Sequence, residues 1–393
     1  MSTKMQYRKD PKSNNELSVL GFGCMRFPNN SALCEELITT AIRGGVNYFD
    51  TAHLYVGSEA TLGGILKKHH LREQVYIADK LPHFRCKGIE DIERFFSESL
   101  NRLQTEYIDY YLIHNLGSIE AFKRLEGYGI REWIKEKKEK GLIHRIGFSF
   151  HGKGVDFEKV LDAYDWDFCQ IQYNYMCENY QAGTKGLKAI GERNMAAIIM
   201  EPLLGGRLAQ NLPSRVQSIF DKAEPNRSAA AWAFRWLYNK KEVTVVLSGM
   251  NAMEQLLENL EIARNTPAGS LTDAEFTIYD KVSEEMAKAY KVPCTGCSYC
   301  MPCPSGVNIP ACFSAYNMSY IMGYMSGIGL YMSSTMSLGS VKRSGSSSCT
   351  KCGVCLSKCP QGIDIPTQLK YVGRRLEPQP LRVILNLAKR IMK

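Results

Sequence analysis

Two hydrophobic periods take turns along the first two thirds of the chain. Short apolar runs rich in Val, Ile, Tyr and Phe stand at 17–26, 46–52, 75–81, 107–114, 144–150, 167–173, 196–202 and 243–249. Each is followed by a longer stretch with apolar residues every three to four positions, at 32–43, 58–70, 89–104, 120–140, 156–164, 182–194, 227–239 and 252–264. The short runs predict strands and the long stretches predict helices, the first closed by Gly44-Gly45. Eight such units in succession predict a (β/α)8 TIM barrel. An open doubly wound sheet suits the pattern less, because no Gly-x-Gly-x-x-Gly opens a helix after a strand.

A polar helix is expected at 272–290, and the character of the chain changes at Val292-Pro293. Two cysteine motifs follow, CTGCSYCMPCP at 294–304 and CTKCGVCLSKCP at 349–360. Between them, 313–341 carries no charge, yet small polar residues interrupt every apolar run long enough to span a bilayer. The tail 377–393 is basic and amphipathic, as a docking helix is. The expected organisation is a barrel over 1–290, a mainly helical ferredoxin-type iron–sulfur domain over 291–376, and the tail.

Composition sharpens this picture in two places. At 45% hydrophobic and 23% charged the chain is an ordinary soluble globular protein, and its start has no apolar signal-like segment. Fourteen cysteines, eight of them in the two motifs, point to metal ligation in a reducing, cytoplasmic compartment rather than to disulfides. The net charge of +9 counts those cysteines as neutral, so ligation as thiolates lowers it. A mildly basic surface suits an acidic electron-transfer partner or an anionic membrane face, and a solvated surface with no special partner is the plainer reading. The expectation includes neither a nucleic-acid partner nor a transmembrane segment.

A barrel puts its chemistry at the C-terminal ends of its strands. Reading only those ends gives Asp50 and Tyr55 after the second strand, Lys80 on the third and His114 on the fourth. Carbonyl reduction by hydride needs this set. The developing alkoxide must take a proton, and a free tyrosine, with a pKa of about 10, is a poor donor at neutral pH. A neighbouring ammonium favours the phenolate, a carboxylate keeps that ammonium charged, and a neutral imidazole orients the carbonyl oxygen. Tyr55 is then the acid, Lys80 its tuner, Asp50 the anchor and His114 the orienter.

In these residues the sequence resembles the aldo-keto reductases over about 15–265, through FDTAHLY, DKLP and LIHNL. The resemblance implies a nicotinamide dinucleotide lying across the mouth. It places Ser149 and Gln170 on the carboxamide, the loop containing Gly205 and Gly206 on the pyrophosphate, and Glu258 and Asn259 near the adenine. Three departures stand out: Phe150 and His151 follow Ser149 where the family usually has Asn, Met200 replaces a stacking aromatic, and no Lys or Arg occurs from 243 to 261. A 2′-phosphate wants such cations, so NAD(H) is expected over NADP(H), a preference that a cation from another loop, such as Arg207, would reverse.

Cys349, Cys352, Cys355 and Cys359 have bacterial ferredoxin 4Fe-4S spacing, with Pro360 after the last. Cys294, Cys297, Cys300 and Cys303 repeat it with a last gap one residue shorter. Paired C-x2-C units also suit tetrahedral zinc, but four cysteines and a Cys-Pro, met twice, favour two clusters. If the fourth cysteine crosses over as in two-cluster ferredoxins, Cys359 joins the first set and Cys303 the second. Cys312 is a spare candidate ligand, read as a buried thiol.

The combination resembles a subgroup of aldo-keto reductases with a ferredoxin-type extension. It implies an oxidoreductase that moves hydride between a nicotinamide and a small carbonyl or alcohol substrate and relays electrons through the clusters to a partner such as ferredoxin or flavodoxin. Hydride carries two electrons and each cluster one, so a flavin is the candidate for splitting the pair. The alternatives are a carbonyl reductase with purely structural clusters and a non-catalytic iron–sulfur electron-transfer protein on a barrel scaffold.

Overall fold

The computed structural model describes residues 4–152, 154–335 and 344–377. It divides into two compact units, Met1–Leu203 with Ala230–Thr272 and Leu204–Ala229 with Asp273–Lys393.

The first unit opens with an antiparallel hairpin of β1 (Tyr7–Lys9) and β2 (Glu16–Ser18). Strands of three residues are too short to show a period of two, and the hydrophobic pattern does not reveal them. The run at 17–26, expected as one strand, is therefore three pieces: the end of β2, the first barrel strand, and a tight turn at Cys24–Arg26. The hairpin closes the end of the barrel at which the strands begin. Leu17 is buried in the barrel's apolar filling, and Asp10 accepts a hydrogen bond from the Tyr110 hydroxyl at 2.9 Å.

Eight parallel strands form the closed barrel: β3 (Leu20–Gly23), β4 (Tyr48–Asp50), β5 (Tyr76–Leu81), β6 (Ile108–Ile113), β7 (Ile143–Phe150), β8 (Phe168–Gln172), β9 (Ala196–Met200) and β10 (Val243–Ser248), with β10 paired back to β3. Outside lie α1 (Ser31–Arg43), α2 (Ser58–Lys68), α3 (Ile89–Leu103), α4 (Ile119–Glu126), α5 (Ile130–Glu139), α6 (Gly154–Leu161) and α7 (Gly183–Glu192). Next in the chain come α8 (Ser214–Asp221), which belongs to the second unit, then α9 (Ala229–Tyr238) and α10 (Met253–Arg264). The start of α1 is fixed by Asn30, whose side chain accepts from the amides of Ala32 at 3.0 Å and Leu33 at 3.2 Å. The single helix expected over 120–140 is two, because Gly129 turns left-handed at φ 86 between α4 and α5.

The barrel is filled, not hollow. Tyr48, Ala78, Tyr110, Leu112, Phe168, Ile198, Val245 and Leu247 meet in its interior. Burying a large side chain of this kind is worth about 1.5–3 kcal/mol. Gly21 is required by the same packing, since a Cβ there would lie 2.7 Å from Val245 Cγ1 and 2.8 Å from Leu247 Cδ2. Strand alternation then sets the next layer. Asp50, Lys80, His114 and Gln170 each stand two residues beyond an interior side chain (Tyr48, Ala78, Leu112 and Phe168), so they face inward at the strand ends.

In the second unit α8 packs on α11 (Asp273–Ala289), with Arg227 paired to buried Glu275 at 2.5 Å. The remaining helices are α12 (Ile309–Ile321), α13 (Tyr324–Thr335) and α14 (Ile365–Leu376). Two of them start alike. Asn308 accepts from Ala311 N at 3.3 Å and Asp364 from Thr367 N at 3.3 Å, with a proline in each first turn. Their inner faces join one core with Val307, Phe313, Leu369 and Val372. Glu377, just beyond α14, is buried and accepts from the Tyr331 hydroxyl and from Ser346 Oγ, the latter at 3.0 Å. No described helix is long and apolar enough to cross a membrane. The tail expected as a docking helix lies outside the described residues from 378 onward.

Candidate functional site

β4 ends on Asp50, and the carboxylate is nearly sealed from solvent at 4% exposure. Burial pushes its pKa up, against the opposing pull of Lys80 and Gln170. Lys80, 1% exposed on β5, gives its ammonium to Asp50 Oδ1 and to the Thr51 carbonyl, both at 2.6 Å. A buried ion pair of this kind needs its remaining hydrogen-bonding capacity met. Thr51 meets part of it for the ammonium, and Gln170 Nε2 donates to Asp50 Oδ2 at 2.9 Å.

The ammonium lies 4.9 Å from the centre of the Tyr55 ring. The His114 imidazole stands edge-on to the same ring, with centroids 5.9 Å apart. Burial, then the Lys80 charge, then His151 and His83 push the His114 pKa well below its usual range. His114 is therefore a neutral imidazole at neutral pH. The structure thus brings Asp50, Tyr55, Lys80, His114 and Gln170 together at one rim.

Ser149 is buried next to them on β7, and its hydroxyl accepts from Asn115 N at 2.8 Å. Gln170 Oε1 is buried and has no hydrogen-bond partner among the described residues. Phe150 turns out of the barrel onto α6, its ring 4.8 Å from that of Phe157. His151 is tied to Gln181 Oε1 at 3.1 Å, and Met200 packs on the end of the interior layer. Asn259 is buried on α10, where it donates to Ser248 Oγ at 3.1 Å and so braces the end of β10. Glu258 beside it is half-buried. Gly205 and Gly206, both left-handed at φ 69 and φ 98, belong to the second unit.

Sequence reasoning missed His83 and met His151 only as a departure after Ser149; the two stand just after β5 and β7. Both are pushed down to about 4, chiefly by burial. Arg124 donates to His83 Nδ1 at 3.1 Å, which leaves Nε2 to donate to the Asn115 carbonyl at 3.3 Å. The strand-end rule that found His114 was the available signal, applied one residue too narrowly.

In the second unit Cys294, Cys297, Cys300 and Cys359 line one partly open space, with Phe313 and Ile363 in its wall. Burial, then the neighbouring thiols, push Cys300 up to about 12. Cys355 is raised by burial and next by the influence of Cys349, Cys303 and Cys352. Cys303 thus stands with the second motif and Cys359 with the first. Cys312 is fully buried and contacts the Ser344 carbonyl at 3.9 Å.

The two motifs wind alike. Gly296 and Lys351, just before the second cysteine, have φ 69 and 59, and Ser298 and Gly353, just after it, have φ 63 and 78. Gly306 and Gly362, each three residues past its Cys-Pro cysteine, have φ 72 and 59. The turns Met301 N to Ser298 O and Leu356 N to Gly353 O, both 2.9 Å, also correspond. Among the described residues no three His, Cys, Asp or Glu side chains converge as the ligands of a single ion do. Four thiols around one space, supplied by two separated stretches of chain, suit a larger iron–sulfur group.

With this geometry in hand, comparison with known proteins gives the class. The sequence pattern described as the aldo/keto reductase family matches 19–284, and that described as a 4Fe-4S dicluster domain matches 293–363. The chain belongs to the aldo/keto reductase family and carries a C-terminal 4Fe-4S dicluster domain. It is 24% identical over 320 residues to the uncharacterized oxidoreductase YqkF of Bacillus subtilis strain 168, covering 73% of this chain and 100% of that one. An aldo-keto reductase of Mycobacterium avium strain 104 is 28% identical over 253 residues, 63% of this chain and 81% of the relative. Among solved structures, the holo form of aldo-keto reductase AKR11C1 from Bacillus halodurans superposes with a TM-score of 0.61 at 24% identity, over 71% of this chain and 96% of that one. An aldo-keto reductase from Klebsiella pneumoniae in complex with NADPH gives 0.56 at 19% identity, over 72% and 95%. These two structures establish the barrel fold alone.

Proposed function

We propose that the barrel reduces a small carbonyl compound, or oxidises the corresponding alcohol, with a nicotinamide dinucleotide as the hydride carrier. The observation that carries this reading is the Lys80 ammonium, clamped by Asp50 and Thr51 at 2.6 Å and held 4.9 Å from the Tyr55 ring. Tyr55 gives its proton to the substrate oxygen. Lys80 stabilises the phenolate left behind, and Asp50 with Gln170 keeps Lys80 charged and in place. Neutral His114 donates toward the same oxygen and orients the carbonyl.

The residues fit the dinucleotide. When bound it supplies the hydride. The unpartnered Gln170 Oε1 is an acceptor for a carboxamide amine, and Ser149, whose oxygen already accepts from Asn115, retains its own proton to donate. Gly205 and Gly206, both left-handed, are assigned to the pyrophosphate. Glu258 and Asn259 are assigned to the adenine end. NAD(H) is favoured, because 243–261 has no Lys or Arg.

In the second unit Cys294, Cys297, Cys300 and Cys359 would hold one 4Fe-4S cluster, and Cys349, Cys352, Cys355 and Cys303 the other. Such clusters supply one-electron storage when bound. Cys352 is exposed while Cys300 is buried, which supports electron exchange with a small carrier of the ferredoxin or flavodoxin class at the second set. A reducing cytoplasm is the compartment that suits these thiols. The test is anaerobic. Full chain with assembled clusters is mixed with NADH and a small aldehyde or ketone, and both product and cluster absorbance are followed. Turnover lost in Tyr55→Phe, with bleaching of the clusters by NADH, supports the reading. Turnover indifferent to Tyr55→Phe sinks it.

A further inference from the structure

The chain leaves the first unit after β9. Leu204–Ala229 groups with the iron–sulfur part, and there it packs directly on the first cysteine motif. A Cβ on Gly205 would lie 2.3 Å from the carbonyl oxygen of Thr295, the neighbour of Cys294. Two residues further on, Arg207 lays its guanidinium 3.8 Å from the centre of the Tyr290 ring, and Tyr290 opens the segment that runs into Cys294. Arg207 Nε and Nη1 are shielded from solvent, so their charge acts through a medium less screening than water. The cation opposes the burial that raises the Tyr290 phenol, and the Gly205–Thr295 contact sets the same stretch of chain against the first cysteine motif.

We infer that Arg207 sets the reduction potential of the cluster held by Cys294, Cys297, Cys300 and Cys359, by fixing a partly buried positive charge against the segment that leads into that cluster's first ligand. The inference rests on the proposed assignment of those four cysteines. Reduction adds one electron to the cluster, with no bond made or broken, and a fixed cation favours the more negative form. Net charge and solvent exposure around a cluster are what tune its potential. The stacked Tyr290 ring and the close Gly205–Thr295 contact hold the cation in place, since a flexible exposed arginine would be screened. Arg207 is a positioning residue for electron flow and touches no substrate.

The experiment is an EPR-monitored redox titration of the full chain with clusters assembled anaerobically. In Arg207→Met one of the two midpoint potentials falls, with a roughly tenfold smaller reduction constant, equivalent to about 59 mV for one electron, while the other stays. Arg207→Lys restores most of the shift. Arg215→Gln, which removes an exposed cation on α8 in the same unit, moves neither potential. If Arg207→Met assembles poorly, Arg207→Gln carries the comparison. Unchanged potentials in a variant with full iron and sulfide overturn the inference, as does an equal shift of both. Wild-type protein that takes up less than two clusters of iron and sulfide overturns the assignment beneath it instead.

Discussion

Gln170 on β8 reaches across the barrel mouth to Asp50 on β4, donating its amide at 2.9 Å to the carboxylate oxygen that Lys80 leaves free. One amide therefore serves two purposes. Its nitrogen steadies the buried anion, and its oxygen remains open for a ligand. Replacing Gln170 by Leu leaves a buried carboxylate oxygen short of a donor, which costs about 1–3 kcal/mol. Urea unfolding at neutral pH should show that loss, and dinucleotide titration should show weakened binding. A Gln170→Glu variant, which sets a second carboxylate against Asp50, should be worse on both counts.

Tyr55→Phe and Lys80→Met should fail in different ways. The phenol is half-buried at the rim, so its removal should leave stability within about 0.5 kcal/mol and lower turnover by about 10²–10⁴-fold. Lys80→Met abandons Asp50 as an uncompensated buried charge and should cost about 3–5 kcal/mol. Pairing Lys80→Met with Asp50→Leu should recover much of that stability and none of the activity. Thermal or urea unfolding of the four proteins beside their turnover distinguishes these outcomes.

The histidines at the mouth give the barrel an acid limit. His83 falls from 6.5 to about 4 in the folded state, so acid favours the unfolded chain, which binds the proton more readily. Its contribution is fully present above about pH 6.5 and is lost as pH falls through 4. At 1.36 kcal/mol per unit the loss is about 3 kcal/mol. His151 and His114 act in the same direction. Unfolding free energy measured between pH 7 and 4 should drop, and His83→Gln should flatten part of the slope.

The cysteine grouping predicts which substitutions are redundant. Cys294→Ala and Cys359→Ala should each lose the same cluster, and the double variant should lose no further iron. Cys303→Ala with Cys359→Ala should lose both clusters. Iron analysis and low-temperature EPR on protein prepared without air report this directly. Cys303 and Cys294 behaving as partners instead would contradict the crossing seen around the first cavity.

The barrel was legible because each strand-helix unit buries one face, and burial writes its period into the sequence. What escaped has a physical cause in each case. The β1–β2 hairpin is too short to carry a period. Gly129 hides a break inside a continuous apolar pattern. The strand-end rule selects Asp50, Lys80 and His114, but the bond from Gln170 to Asp50 spans 120 positions and leaves no local trace. The same holds for the packing of Gly205 on Thr295, which ties a loop after the seventh barrel strand to a cysteine motif far along the chain. The equal winding of the two motifs around the second cysteine is visible only in the backbone, because there Gly in one copy is answered by Lys or Ser in the other.

The most direct measurement follows the label. Full chain with assembled clusters is incubated without air with NADH carrying deuterium at the transferable position and a panel of small aldehydes and ketones, and the alcohols are analysed by mass spectrometry. Deuterium should appear on the carbinol carbon of at least one product and disappear with Tyr55→Phe. Label reaching no alcohol, or reaching it equally well without the Tyr55 hydroxyl, would contradict hydride transfer at this rim.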